Sequence, residues 1–364
     1  MPILNFGSLN IDHVYRVDSF VQPGETKHSK AYMVNSGGKG LNQSIAAAKA
    51  GGQVLHAGLV GRDGSFLVEK LQAAGVDTAL MQASAEVSGH AIIQVADSGQ
   101  NCILLYGGTN QLLTESYVES ALSDFGGEGL VLLQNETNLT ALIIQKAAEK
   151  GLKVAFNAAP YSNAVNSYPI NLLDWLIVNE VEAAGILGAD ADEQLLPRLA
   201  ERYPRAGILL TLGSAGARCC QNGHFASIGS CAVQAVDTTA AGETFTGYFL
   251  QGILQGSGTA EALRLATAAA ALCVGGAMGG PVRGAEGAPV AGAARHGERP
   301  LDLGGRGSAG QPRREQQSAV GRVPAIAAGD RGGDCLASQP LDLAGLHLPF
   351  GAQPGRDRGD AETG

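Results

Sequence analysis

The sequence predicts an α/β fold in which a mainly parallel β-sheet is sandwiched by helices and carries a small β lid. Three observations predict this fold. Short apolar runs alternate along the chain with helical segments, as in parallel strands joined by right-handed crossovers. Polar residues follow many of these runs, where ligands bind in such sheets. Two extended stretches, near 13–34 and 89–106, break the alternation, and we expect them to form the lid.

The predicted strands are short runs of aliphatic and β-branched residues, a pattern typical of strands buried on both faces. The first run contains Ile3, Leu4 and Phe6. The predicted strands of the main sheet are 3–9, 54–60, 130–134, 153–157, 175–178 and 207–212. In the lid, 89–96 and 101–106 alternate in polarity around a turn sequence, which predicts a hairpin.

The helices are predicted from segments of helical character between the strands. They cover 44–50, 66–74, 115–123, 139–150, 180–187, 192–203 and 259–274, and a further helix starts at the small-residue turn before Glu243. Because strands and helices alternate regularly from about residue 115, we expect helices on both faces of the sheet.

Bulk composition narrows the classes of function. The 364 residues carry a net charge of −9 without a basic run, so we expect no nucleic-acid partner. The N-terminus lacks the pattern of a signal peptide, and the longest apolar run, 266–274, is too short to span a bilayer. The six cysteines have neither metal-site spacing nor the density of a disulfide framework. We therefore expect a reduced, cytoplasmic protein with no membrane partner.

The composition changes near Gly275. Residues 276–364 hold 20 of the 52 glycines and 8 of the 14 prolines. Their Gly and Pro content exceeds the roughly 25–30% at which a packed core becomes doubtful. We predict one α/β domain over 1–275, including the lid, followed by an atypical Gly/Pro/Arg-rich tail over 276–364. Two interpretations of the tail stay open: a disordered segment, or the product of a shifted reading frame.

The stretch 236–247 is predicted to carry the central chemistry. It is expected to be a strand end, a small-residue turn and the start of a helix. Ala240, Ala241 and Gly242 would leave backbone N–H groups unobstructed at the positive end of a helix dipole, which suits an oxyanion or a phosphate. Glu243 in the first turn could take a proton from a hydroxyl that attacks a phosphoryl group. The alternative is an ordinary helix N-terminus with an acidic first turn.

A second glycine-rich turn, 37–40, precedes a helical segment. It is not a P-loop, because glycine follows Lys39 and the required spacing is absent. Gly38 allows a close approach of backbone to ligand, and Lys39 and Asn42 can donate hydrogen bonds to hydroxyls. Asn10 and Asp12, at a predicted strand end, form a polar pair suited to a polyol. Each of these features could instead be a turn or a helix cap.

Further polar groups follow later strands. Glu136 lies just beyond the strand 130–134. Asn179 and Glu182 follow the strand 175–178 and could hold a hydrated divalent cation on one helical face. For Glu136 and for the Asn179–Glu182 pair, the alternative is a helix cap or a solvated first turn. The loop that contains Thr211, Gly213 and Gly216 could border a nucleotide, although its signal is weak in isolation.

These motifs occur together in the order found in a known family. Residues 37–43 resemble the first signature of the PfkB-type sugar kinases in its ribokinase-like form, 237–247 resemble the second signature, and 179–182 resemble the NxxE motif. The resemblance covers about residues 3–275. It implies a ribokinase-like fold and ATP-dependent phosphorylation of the 5-hydroxyl of ribose.

The resemblance also implies roles for individual residues. The sugar would be held by Asn10, Asp12, Gly38, Lys39, Asn42 and Glu136. The magnesium ion and the phosphates would be ordered by Asn179 and Glu182, and the nucleotide would be bordered by Thr211, Gly213 and Gly216. The anion hole, the base and a potassium site would be formed by Ala240, Ala241, Gly242, Glu243, Asp237 and Thr239. The lid would close over the sugar and pair two subunits as a homodimer.

Two features depart from the family pattern. The family's base is an aspartate, whereas position 243 is a glutamate; a misplacement of the carboxylate by about 1 Å can cost about 10²-fold in rate. The tail does not resemble the segment that supplies part of the family's cation site and adenine pocket. Three interpretations stay open: a ribose kinase of impaired activity, a kinase for another pentose, a deoxysugar or a nucleoside, and a non-catalytic sugar-binding pseudokinase.

Overall fold

A computed structural model describes residues 1–234 and 238–276. Within these residues the strands are β1 (Ile3–Phe6), β2 (Asn10–Val17), β3 (Ala31–Gly37), β4 (Val54–Val60), β5 (Met81–Ala83), β6 (Gly89–Ala96), β7 (Asn101–Tyr106), β8 (Leu130–Gln134), β9 (Lys153–Asn157), β10 (Trp175–Asn179), β11 (Gly207–Thr211), β12 (Ala217–Gln221) and β13 (His224–Ile228). The helices are α1 (Lys39–Lys49), α2 (Ser65–Ala73), α3 (Glu115–Phe125), α4 (Thr140–Glu149), α5 (Glu180–Leu187), α6 (Leu195–Arg202), α7 (Ala241–Leu254) and α8 (Thr259–Val274).

The larger sheet is mainly parallel, as predicted. Its strand order in the described residues is β13-β12-β11-β10-β9-β8-β1-β4-β5. Along this order, every neighbouring pair from β11 through β1 to β5 is parallel. At the other edge, β12 pairs antiparallel with β11 and forms an antiparallel hairpin with β13. The carboxyl ends of the parallel strands therefore lie along one edge of the sheet.

Helices cover both faces of this sheet. Leu4 and Phe6 of β1 belong to the core that packs against α3–α6, while Ile3 belongs to the core that packs against α1, α2, α7 and α8. Because successive strand residues point to opposite faces, a strand between two helical layers is buried on both faces and is mostly apolar. All five residues of β8 are buried accordingly.

The lid is a separate four-stranded sheet of order β3-β2-β6-β7. β2 pairs with β3 antiparallel and with β6 parallel, and β6 and β7 form the predicted hairpin. The α/β class, the parallel sheet and the β lid are thus confirmed. The predicted tail, from residue 277 on, lies outside the described residues, so the proposed domain boundary stays a prediction.

Two local predictions were wrong. Asn10 and Asp12 do not end the first strand: β1 stops at Phe6, and both residues lie in β2 of the lid. Helix α1 begins at Lys39 rather than at residue 44. The first turn of α1 is helical despite its glycine because the N–H groups of Gly40 and Leu41 donate to Ser8, at 3.1 and 2.9 Å. A tertiary contact here overrides weak local helix propensity.

Three strands at or next to the edges of the larger sheet were not predicted. β5 has only three residues, β12 contains the polar residues Arg218 and Gln221, and β13 has several exposed positions in place of a continuous apolar run. Strands at the edge of a sheet are covered less completely, so their sequences have less of the signal of a buried strand. Within the described residues, no helix combines the length and the apolar character that a membrane span requires.

Candidate active site

Charged side chains from distant parts of the chain meet at the carboxyl edge of the larger sheet. The Lys39 ammonium lies 3.0 Å from the Glu243 carboxylate. The backbone N–H of Lys39 donates to Glu136 Oε2 at 2.9 Å, and the Ser8 hydroxyl donates to the same oxygen. The first turn of α1, the end of β8 and the start of α7 therefore contribute to one polar cluster.

The glycine-rich turn that opens α1 packs closely against the lid strand β2. Gly38 has φ +96°, and a Cβ there would lie 2.8 Å from the carbonyl oxygen of Ser8. A Cβ on Gly37 would overlap the carboxylate of Asp12. A side chain at position 37 would displace the Asp12 carboxylate, and one at position 38 would press on the backbone of Ser8 and Asn10. Asn42 follows Lys39 in the first turn of α1 and is half-buried.

Burial and mutual repulsion alter the protonation of this cluster. Burial, and then the neighbouring charges of Glu136 and Glu243, raise the pKa of Asp12 to about 7. Burial acts to lower the pKa of Lys39, but the carboxylates of Glu243 and Glu136 outweigh it and leave this pKa above its usual value. Lys39 therefore stays charged, and Asp12 is poised to exchange a proton near neutral pH.

Helix α7 begins at the small-residue turn, as the sequence predicts. Its N-cap, Ala240, is in the left-handed conformation with φ +61°. The Ala241 N–H makes a long bond of 3.3 Å to Thr238 O, and the space above Gly242 is open. Glu243 is the acidic residue of the first turn. Glu243 therefore lies at the N-terminus of α7, which is the positive end of the helix dipole.

Thr239 lies in the turn before α7, where its carbonyl oxygen accepts from the Cys273 thiol at 3.7 Å. Asp237, predicted with Thr239 as part of a cation site, lies outside the described residues. Among the described residues, no cluster of three or more His, Cys, Asp or Glu side chains is suited to a metal ion.

Asn179 and Glu182 form a reciprocal helix cap at the start of α5. The Asn179 N–H donates to Glu182 Oε2 at 2.8 Å, and the Glu182 N–H donates to Asn179 Oδ1 at 3.0 Å. Burial raises the pKa of Glu182, which the bond from the Asn179 backbone and the charge of Lys39 oppose. The capping alternative is therefore realised, and a cation-ordering role for the pair stays a prediction.

The predicted nucleotide loop lies beside this cap. Thr211, the last residue of β11, pairs with Asn179 across the sheet. Gly213 and Gly216 then have φ of +56° and +97°, and the space above Gly213 is open. The structure thus places the loop next to α5 at the same sheet edge.

Two further residues of the site, Ser8 and Asn110, were not among the predicted site residues. Ser8 is fully buried and links Glu136 to the first turn of α1. Asn110, also buried, bonds to the side chain of Asn10 at 2.8 Å. Both are uncharged residues close to glycines, a pattern also typical of ordinary turns, so only the packing of the chain reveals their role.

A fully buried polar network lies beneath the cluster. Asn5 donates to Gly40 O and to the Ser44 hydroxyl, both at 2.8 Å, and Ser44 bonds to His56. Burial lowers the pKa of His56 to about 4, so its ring is neutral at neutral pH. The sequence-based view of His56 as a structural residue agrees with this environment.

Residues 3–280 match the family model described as pfkB family carbohydrate kinase. The chain belongs to this family. Ribokinase from Haemophilus influenzae is 37% identical to this kinase over 277 residues, which are 74% of this chain and 90% of the relative. The predicted class of enzyme, an ATP-dependent carbohydrate kinase, is confirmed.

Solved structures show the same fold. Ribokinase from Cryptococcus neoformans in complex with ADP is 33% identical, has a TM-score of 0.64, and matches over 75% of this chain and 93% of its own. Arabidopsis thaliana ribokinase complexed with ribose and ATP is 29% identical, has a TM-score of 0.66, and matches over 75% and 92%. The kinase described here therefore has a ribokinase-like fold over about three quarters of its sequence.

Proposed function

We propose that this kinase transfers the γ-phosphoryl group of ATP to the 5-hydroxyl of D-ribose. The observation that carries the proposal is the contact between Lys39 and Glu243 beside Asp12 and Glu136, next to the N-terminus of α7. A carboxylate base, the Lys39 ammonium and several hydrogen-bonding groups share one site, which is what phosphoryl transfer to a polyol requires. The relatives named ribokinase support ribose as the acceptor.

The sugar would lie between the lid and the first turn of α1. Asp12, Glu136 and Asn10 present acceptors and a donor amide, and these suit the vicinal hydroxyls of a pentose. The remaining predicted sugar contacts are Gly38, Lys39 and Asn42. Because Gly38 lacks a side chain, a hydroxyl can approach its backbone closely.

The phosphates would lie at the N-terminus of α7. The N–H groups near Ala240, Ala241 and Gly242 would stabilise the negative charge that develops on the transferred group. Thr211, Gly213 and Gly216 would border the nucleotide. Closely positioned donors at this point lower the barrier because they need no reorganisation during the reaction.

Asn179 and Glu182 fit a hydrated magnesium ion rather than direct ligation, because both side chains are engaged in the helix cap. Bound magnesium would neutralise charge on the phosphates. For the predicted potassium ion, Thr239 is the member of the site among the described residues. A monovalent cation there would add positive charge beside the anion hole.

In the proposed reaction, the Glu243 carboxylate takes the proton of the 5-hydroxyl. The oxygen of that hydroxyl then bonds to the γ-phosphorus, and the bond from this phosphorus to the bridging oxygen of ADP breaks. Lys39 offsets the negative charge around the base and the attacking oxygen. ADP and the sugar phosphate leave, and Glu243 returns its proton to solvent.

Glu243 is proposed to make turnover slower than an aspartate would. Its longer side chain reaches the Lys39 ammonium, and this ion pair competes with contact between the base and the sugar hydroxyl. The same pairing favours the second candidate function, a sugar-binding pseudokinase. A kinase that acts on another pentose, a deoxysugar or a nucleoside is the other alternative, and the substrate panel below separates it from both.

The kinase is also proposed to be cytoplasmic and to form a homodimer through its lid. Tyr32, Leu104 and Tyr106 are 51%, 69% and 55% exposed and lie on the lid face opposite Asp12. Val34 and Ile92 extend the same face. Exposed apolar and aromatic side chains grouped on one face, here interspersed with His13 and His90, are typical of a protein–protein interface.

The function is tested by coupled ADP release and calorimetry with ribose, deoxyribose, arabinose and nucleosides. Turnover with ribose above the other acceptors supports the proposal. Ribose binding without ADP release would identify a pseudokinase. Turnover with a different acceptor alone would reassign the substrate.

A further inference from the structure

The lid joins the larger sheet where three chain segments cross. They are the link from β1 to β2, the start of β6, and the turn after β7 that contains Gly107 and Gly108. Asn110 lies in this turn and is 3% exposed. It bonds to the first segment and contacts the second, so one buried amide connects the three segments.

The bonds of Asn110 define which way its amide points. The backbone N–H of Leu9 can only donate, and it lies 3.0 Å from Asn110 Oδ1. Asn110 Nδ2 must then face Leu9 O, at 3.2 Å, and Asn10 Oδ1, at 2.8 Å. A reversed amide would place two donors against each other and two pairs of acceptors in contact, which is unfavourable in a buried site.

The same reasoning extends to Asn10. Because Asn10 Oδ1 accepts from Asn110, its Nδ2 group is left to donate elsewhere, on the side of β2 that carries Asp12. We propose that Asn110 is a positioning residue that holds the Asn10 amide in this orientation, so that position 10 presents a donor to an oxygen of the acceptor sugar. This inference rests on the proposed function for its ligand and concerns a residue outside the motifs of the site.

Gly89 shields the bond between the two asparagines. A Cβ built on Gly89 would overlap both Asn110 Nδ2 and Asn10 Oδ1. The first residue of β6 therefore packs directly on the Asn10–Asn110 contact, which excludes water from it. The bond is stronger in such a setting than in an exposed one.

The chain offers a matched control for Asn110. Asn138 makes the same two-bond clamp on the backbone of Leu113, with the Leu113 N–H 3.0 Å from Asn138 Oδ1 and Asn138 Nδ2 2.9 Å from Leu113 O. Its side-chain bonds go to Leu113, not to Asn10. Asn110→Ala and Asn138→Ala thus remove equivalent backbone clamps, but only the first frees the Asn10 amide.

The experiment compares ribose affinity and steady-state kinetics of these two variants. We expect both to lower the melting temperature, whereas Asn110→Ala alone raises the KM for ribose about fivefold to tenfold with kcat within about twofold. Gly89→Ala, which deletes no polar group, should raise the same KM. Equal KM values in Asn110→Ala, Gly89→Ala and the wild type would overturn the inference.

A readout without ligand separates this inference from the proposed function. The side-chain amide resonances of Asn10 should shift and exchange faster with solvent in Asn110→Ala but not in Asn138→Ala. That result in a protein that binds no ribose would support the orientation by Asn110 and overturn ribose as the ligand. Unchanged Asn10 resonances in a protein that binds ribose would support ribose as the ligand and overturn the orientation of Asn10 by Asn110.

Discussion

The ammonium of Lys39 and the carboxylate of Glu243 form an ion pair of 3.0 Å although 204 residues separate them in the chain. The Glu243 side chain is 16% exposed and that of Lys39 28% exposed, so the pair is partly shielded from water. It joins the start of α1 to the start of α7. The proposed base and the positively charged side chain beside it are therefore held together by this ion pair.

Shortening the base should raise the rate. Glu243→Asp removes one methylene, which weakens the pairing with Lys39 and leaves room for the sugar hydroxyl. We expect kcat to rise at least about tenfold, since a misplacement near 1 Å can cost 10²-fold. The measurement is coupled ADP release with ribose, with Glu243→Gln as the control that lacks a base. Equal rates for Glu243→Asp and the wild type would contradict this view of the glutamate.

Removing the positive charge of Lys39 should lower the activity. Lys39→Met leaves Glu243 without its ion-pair partner and Glu136 without a nearby positive charge. Breaking a partly buried pair costs more than the about 1 kcal/mol of an exposed pair and less than the about 3–5 kcal/mol of a buried one. We expect kcat/KM for ribose to fall at least about 10²-fold, because substrate contact and charge neutralisation are both lost. Lys27→Met, a lysine of the lid edge that pairs with Asp18, serves as the control. Unchanged calorimetric affinity in Lys39→Met would argue against its role.

The raised pKa of Asp12 predicts an unusual pH dependence of stability. The folded pKa of about 7 lies above the ordinary value of 3.8, so the folded state holds this proton more tightly. The contribution of Asp12 to stability is full below about pH 4 and is lost as the pH rises through 7. We expect Asp12→Asn to be about 2 kcal/mol more stable than the wild type at pH 8 and similar to it at pH 4.5.

Urea unfolding at the two pH values tests this expectation, with Asp124→Asn on the surface of α3 as the control. The control should change stability equally at both values. Asp12→Asn should also bind ribose more weakly, because the site loses one of its three carboxylates. A stability difference for Asp12→Asn that does not vary with pH would contradict the burial argument.

The turn before α7 contains a strained residue. Ala240 has φ +61°, a left-handed conformation that costs an L-residue with a Cβ about 1–2 kcal/mol. We expect Ala240→Gly to stabilise the protein by about 1 kcal/mol and to raise its melting temperature by about 2 °C. Ala241→Gly, one residue into the helix, should destabilise instead. Calorimetry of both variants checks the opposite signs.

Two neighbouring residues of lid strand β7, Leu104 and Ile103, allow a matched test of the proposed dimer. Leu104 lies on the face opposite Asp12, and Ile103 lies on the other face of the same strand. We expect Leu104→Glu to yield monomers and Ile103→Glu to remain dimeric, because a charge disrupts only the interface that it enters. Light scattering after gel filtration measures both. A monomeric wild type would contradict the dimer.

Much of the fold follows from local patterns. Each parallel strand of the core is a short run of apolar residues because it is covered on both faces, and β8, β9 and α8 have their predicted bounds. The hairpin of β6 and β7 was also predicted at its observed bounds because its turn sequence lies between two alternating segments. The start of α1 was missed because its helical first turn depends on Ser8, far away in the chain.

The layered α/β fold and the motifs of a carbohydrate kinase could be predicted from local patterns, since apolar spacing and glycine-rich turns are properties of neighbouring residues. Three contacts are visible only in the folded chain: the ion pair of Lys39 with Glu243, the hydrogen bond from Ser8 to Glu136, and the hydrogen bond from Asn110 to Asn10. These contacts depend on distances between segments about 100 residues or more apart. Such distances are set by the packing of helices and lid against the sheet, and no local pattern encodes them.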